Sequence, residues 1–202
     1  MRLCTAMVLA LILASGQRGV REAQQEGVDV PSFNANGELI LPADYREWVF
    51  IGSSVGMTYG PVKRQDNALL FENIYVNPPA YREFLRSGRW PERSIFVMES
   101  RAGVTHELLA NTGTTQGQAR SIEASVKDSS RFPATTWAYF DFGNAATPRG
   151  AARQLPPLVG CNACHAQNTA VENTFVQFYP VLMEAARRLG TVKPTYDPMR
   201  KF

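Results

Sequence analysis

At 202 residues the chain is long enough for one well-buried domain and short for two. Hydrophobic residues make up 45% and charged residues 19%, which excludes global disorder. The formal net charge is only +3, the basic residues are scattered, and all but four of the 21 are arginine, so nucleic acid is excluded as an expected partner.

The chain begins with Arg2 and the apolar run 3-LCTAMVLALILASG-16. The run is short of the roughly 20 residues that span a bilayer, but fits the apolar region of a secretory signal peptide closed by small residues. Residues 1–16 are read as a signal peptide, with a buried N-terminal helix as the alternative. No other segment is apolar enough to span, so the mature protein is expected to be periplasmic or exported, and soluble. Residues 17–35 are polar and rich in Gly, Gln and Glu, and read as a flexible leader; residues 36–202 read as a single domain.

In that domain, 37-GELILPADYREWVFIGSSV-55 predicts a short strand, a turn at Pro42, a brief helix around Tyr45–Trp48 and a second strand. The aromatic and β-branched stretch 69-LLFENIYV-76 is strand-like. Asn77 then caps a helix with Pro78 in its first turn, running through 80-AYREFLRSG-88 and stopped by Gly88. Strands are predicted over 94-SIFVMESR-101, the alternating 119-ARSIEASVKD-128, and 136-TWAYFDFG-143, followed by a Pro/Gly/Ala-rich loop. Phe175, Phe178, Leu182, Ala185 and Leu189 fall at helical spacing, with Gly190 as a stop. Strands dominate the middle without regular β-α alternation. The fold class is therefore α+β, a mainly antiparallel β-sheet with flanking helices.

The segment 160-GCNACHAQN-168 carries two of the three cysteines and one of the two histidines. Cys4 leaves with the signal peptide, so the mature chain keeps Cys161 and Cys164, followed directly by His165. C-x-x-C-H is the attachment signal for c-type haem. Two thiols three positions apart can add to the two vinyl groups on one porphyrin edge, and the adjacent imidazole becomes the proximal iron ligand. A thioredoxin-type dithiol would need a βαβ context that the pattern lacks. A structural zinc site would need four ligands, and only the distant His106 is left to complete one.

Taken together, 44-DYREWVFIG-52, 74-IYVNPPAY-81, 122-IEASVKDSSRF-132, 137-WAYFDF-142, 161-CNACH-165 and 177-QFYPVL-182 resemble the cytochrome P-460 family, which includes the cytochrome c′-beta proteins. The resemblance runs from about Gly37 to Leu182 with its parts in order. It implies a dimeric, mainly antiparallel β protein carrying one haem c, bound through two thioethers at Cys161 and Cys164. Iron would be held by His165, with an open or water-bound distal side. P-460 enzymes of the family oxidise hydroxylamine with a haem cross-linked to lysine; the c′-beta branch lacks the link and binds NO and CO. Aligning Glu99 with the family's glutamate puts Met98 where the lysine would be, so the resemblance points to the c′-beta branch.

Met98 has three readings: packing at the haem edge, ordinary core, or iron ligation. Glu123 matches the family's distal acid, a group for proton transfer at the open iron face; alternation with Ser121 and Ser125 also fits a solvated polar face. Glu72 falls near the distal arginine of the P-460 branch. Phe71, Phe96 and Phe140 are candidates to crowd the distal side, with plain core as the competing reading, and His106 reads as a surface-loop residue. The expected function is a mono-haem cytochrome that binds NO or CO and activates peroxide, working with a redox partner protein. The alternatives are a hydroxylamine- or NO-oxidising P-460-type enzyme and a Met/His-ligated electron carrier.

Overall fold

A computed structural model describes residues 31–57, 69–106, 113–157 and 160–199. Residues 1–30, which hold the expected signal peptide and most of the expected leader, lie outside the described residues. The elements in chain order are β1 (Leu39–Ile40), β2 (Val49–Val55), β3 (Leu70–Val76), α1 (Pro78–Ser87), β4 (Ile95–His106), β5 (Gly113–Lys127), β6 (Trp137–Asn144), β7 (Ala151–Ala152), α2 (Cys161–Asn168) and α3 (Pro180–Arg188). Strands β2 to β6 form a five-stranded antiparallel meander in sequence order, and β1 pairs with β7 in a small second sheet. The α+β reading, with a mainly antiparallel sheet, holds.

Side-chain alternation divides the core in two. Ile95 and Val97 of β4, Ile122, Ala124 and Val126 of β5, and Ala138, Phe140 and Phe142 of β6 pack on one face, against Leu39, Tyr45, Trp48 and Phe132. Phe96, Trp137 and Tyr139 project from the other face and pack against α1 through Ala80 and Phe84, and against α3 through Leu182, Met183, Ala185 and Ala186. Phe84 is fully buried and its ring stacks 4.1 Å from that of Trp90. Burying one such side chain is worth about 1.5–3 kcal/mol. This anchors α1 across the sheet on the side where α2 also lies.

The structure redraws several local expectations. Asn77 precedes α1, but its side chain bonds elsewhere: Oδ1 accepts from the Ile95 N–H at 3.0 Å, tying the helix start to β4. Gly88 stops α1 as expected, at φ +71°, where a left-handed residue lets its N–H donate to the Phe84 carbonyl at 2.7 Å. Strands β4 and β5 outrun their predicted ends, so 103–106 is strand and not loop, with His106 paired to Gly113. Bulges next to Arg101 absorb the change of register. The Pro/Gly/Ala-rich loop contains β7. The helix predicted from Phe175 is broken: Val176–Phe178 is a 3-10 turn, and α3 begins afresh at Pro180, which has no N–H to continue an earlier helix. The Cys-x-x-Cys-His segment is itself a helix, α2, which periodicity did not reveal because 161-CNACHAQN-168 carries no apolar stripe at helical spacing.

Candidate functional site

Helix α2 brings Cys161, Cys164 and His165 to the wall of one cavity of about 490 Å³, inside the roughly 300–1,000 Å³ range of small-molecule sites. The inner face of the sheet forms the opposite wall. The segment from Asn173 to Tyr179 and Leu182 close the remaining side. Both thiols are free and half-buried. Burial, and then the Glu123 carboxylate, push the Cys161 thiol above its ordinary pKa.

His165 is held by one hydrogen bond and two flanking rings. Its Nδ1 lies 2.8 Å from the Asn173 carbonyl oxygen, which can only accept, so Nδ1 carries the proton. The Tyr139 and Phe175 rings flank the imidazole, each with its centroid 4.6 Å away. Burial lowers the pKa to about 4, the Asn173 carbonyl opposing and the Lys193 charge adding slightly. The ring is therefore neutral at physiological pH, with Nε2 unprotonated and able to ligate a metal.

Three rungs of paired residues grade the sheet wall from apolar to polar. Val76, Phe96, Ser125 and Tyr139 are aligned across β3 to β6 at the end nearest α1. Gly52, Ile74, Met98, Glu123 and Asp141 form the middle rung, with Met98 directly opposite Glu123. Ser54, Glu72, Ser100, Ser121 and Asn144 form the third. On that rung the Ser54 hydroxyl donates to Glu72 at 3.1 Å, and the Ser100 and Ser121 hydroxyls lie 2.7 Å apart. Met98, Glu123 and Glu72 all line the cavity. The Glu123 carboxyl has no hydrogen-bond partner among the described residues. Its pKa is raised, first by burial and then by the Asp141 and Glu72 charges. Glu123 and Ser125 on the alternating polar face of β5 thus line the cavity.

The aromatic candidates separate cleanly. Phe96 lines the cavity and is buried. Phe140 meets the cavity from the sheet, but its ring belongs to the other face, 6.2 Å from Phe33 and 6.1 Å from Phe132. Phe71 is one residue out of phase with Glu72 and Ile74, shares the side of Asn73 and Tyr75, and is not among the lining residues. In both strands a period of two sends the neighbour inward instead: Tyr139 for Phe140, Glu72 for Phe71. His106 sits eight residues beyond Met98 in β4, roughly 26 Å along the strand.

Several contributors were not singled out from the sequence. Tyr179 lines the cavity with its ring against the backbone of Gly52, where an added Cβ would stand 2.7 Å from Cδ1. Trp90 lines it while its Nε1 donates to the Thr174 hydroxyl at 2.9 Å. The Gly at 52, in a strand and next to a bulge, was the available signal. Among the described residues no group of three His, Cys, Asp or Glu side chains is arranged to hold a metal ion. The all-antiparallel meander gives the dithiol no βαβ context.

Two thiols on one helical turn and an oriented neutral imidazole, all facing a largely apolar cavity, are the donor set a c-type haem requires. Cys161 and Cys164 would hold its edge and His165 Nε2 its iron. In comparisons with known proteins, no curated protein matches the chain. A family model described as cytochrome P460 matches residues 42–176.

Proposed function

The chain belongs to the cytochrome P460 family, whose members are haem-binding cytochromes, and from that premise we propose that it is an exported mono-haem c-type cytochrome of the c′-beta kind. It would bind NO or CO on an open iron face and activate peroxide. The observation that supports this reading most is the convergence of Cys161, Cys164 and a neutral, carbonyl-anchored His165 on one cavity whose far wall carries Met98 and Glu123.

A haem held there supplies an iron coordination site for a small ligand and a one-electron couple. The chain's residues do the rest. His165 Nε2 would hold the iron, and the Nδ1–H bond to the Asn173 carbonyl fixes the ring plane. Met98 lines the cavity and is a thioether where the amine of a cross-linking lysine would stand, so it would pack beside a bound haem and could not form an amine link. Glu123, whose carboxyl pKa is raised by burial and then by the Asp141 and Glu72 charges, would exchange a proton at its carboxyl oxygen with a ligand in the cavity. Phe96, Tyr139, Trp90 and Phe175 give the cavity much of its apolar lining.

A steady-state assay tests the reading. Purified holoprotein is expected to oxidise a one-electron donor with hydrogen peroxide and to leave hydroxylamine unconsumed. Turnover of hydroxylamine without peroxidase activity would transfer the chain to the P-460 enzyme reading. Because Met98 lines the same cavity, a Met/His electron carrier is the other competitor, and it would show neither activity.

A further inference from the structure

The segment after α2 carries the acceptor for His165, and it is fastened at nearly every residue. The buried Thr169 hydroxyl bridges the His165 carbonyl at 2.6 Å and the Glu172 carbonyl at 2.7 Å, and accepts from Lys193 Nζ at 2.9 Å. Gln177 closes the loop from outside, accepting from the Ala170 N–H at 2.9 Å and donating to the Asn168 carbonyl at 2.8 Å. Glu172 adopts φ +47°, a left-handed conformation that a non-glycine residue holds only when its surroundings impose it. Its carboxylate accepts from Lys127 Nζ at 2.8 Å and from the Trp90 N–H at 3.3 Å, and Lys127 Nζ also donates to the Trp90 carbonyl at 2.7 Å. The Lys127 and Glu172 side chains are only 14% and 18% exposed, so this pair is better shielded than a surface ion pair. On the far side, Thr174 accepts from Trp90 Nε1 and donates to the Val171 carbonyl at 2.8 Å. Between these two anchors stands Asn173, whose carbonyl meets His165 Nδ1.

We propose that Thr169, Glu172 and Lys127 are positioning residues for His165. They lock residues 169–174 so that the Asn173 carbonyl stays aimed at Nδ1, and through that bond they set the donor strength of Nε2 and the redox potential of the iron it holds. The inference rests on His165 being the proximal ligand. A firm Nδ1–H···O=C bond makes imidazole a more basic ligand and favours ferric iron; a loosened one weakens the iron–nitrogen bond and favours ferrous iron.

The test uses the haem-loaded protein and reads the midpoint potential together with the iron–histidine stretching band of the reduced form. Thr169→Val, which keeps shape and removes the hydroxyl, and Lys127→Met, which removes the outer anchor, are both expected to move the potential positive and the band to lower frequency. Thr169→Ser should restore both, and Glu83→Gln, which breaks an exposed pair with Arg86 on α1, should change neither. If Thr169→Val does not fold, Lys127→Met carries the test alone, since its side chain lies at the margin. Folded variants that bind haem and melt earlier, yet keep the wild-type potential and band, would reduce the latch to a purely structural role. A wild-type chain without covalent haem would instead overturn the proposed function, and this inference with it.

Discussion

Replacing Glu99 with Gln is a perturbation whose cost the structure defines closely. Glu99 is fully buried in β4, on the face away from the cavity. Its carboxylate accepts from the Tyr45 hydroxyl, from Arg46 Nε at 2.8 Å and Nη2, and from Arg101 Nε. Burial alone would raise its pKa, but Tyr45, Arg101 and Arg46 outweigh it and hold the carboxyl below its usual range. Glutamine keeps the volume and one acceptor oxygen, loses the charge and turns an NH2 toward a guanidinium. Breaking a fully buried ion pair costs about 3–5 kcal/mol. Here the Arg46 and Arg101 side chains are 52% and 29% exposed and can be rehydrated, which lowers the figure to about 2–3 kcal/mol. For a domain of this size that is a drop in Tm of roughly 4–12 °C. A carboxyl with a lowered pKa contributes stability that is complete above the unfolded value of about 4.3 and is lost as pH falls through the folded one. The gap between wild type and Glu99→Gln, followed by circular dichroism, should therefore be full at pH 7 and shrink below about pH 4. A gap under about 2 °C at pH 7, or one that persists unchanged into acid, would refute the reasoning.

Three further outcomes are expected. Cys161→Ala and Cys164→Ala should each leave one thioether, and the double variant should release its haem to acidified organic solvent, as read by mass spectrometry of the chain. Glu123→Gln should lower peroxidase turnover by about 100-fold or more, the usual weight of a positioned acid–base group. It should also stabilise the fold at neutral pH. A raised carboxyl pKa means a penalty absent below about 4.3 that grows as pH rises toward the folded value, so the stabilisation should vanish in acid melts. Gly52→Ala should displace the Tyr179 ring and cost about 1–3 kcal/mol as an overpacking change, with altered CO rebinding kinetics as the sign that the cavity wall has moved.

The sheet was legible because β-branched and aromatic runs in 69–76, 94–101 and 136–143 carry a strand signal of their own. The haem motif was legible because its chemistry fixes residue type and spacing. What alternation could not give was phase: 69-LLFENIYV-76 has apolar residues on both faces, so Phe71 and Glu72 could not be assigned to a side without the pairing partners. The same ambiguity made Phe140, and not Tyr139, a cavity candidate. For β5 the pattern gave the phase correctly, but a polar face reads as solvent unless something is known to cover it. The His165 anchor was invisible for another reason. It is built from a backbone carbonyl and a loop whose conformation depends on Lys127 and Trp90, residues 46 and 83 positions before Asn173 in the chain.

The central claim is a haem iron held by His165 with its opposite face open. It is tested most directly by the optical spectrum of the dithionite-reduced holoprotein before and after CO. A high-spin ferrous form is expected, its Soret band sharpening and shifting on adding CO, with no far-red-shifted band of a cross-linked macrocycle. A low-spin ferrous form indifferent to CO would mean that a side chain, Met98 first among those on the cavity wall, closes the sixth position and that the protein carries electrons instead.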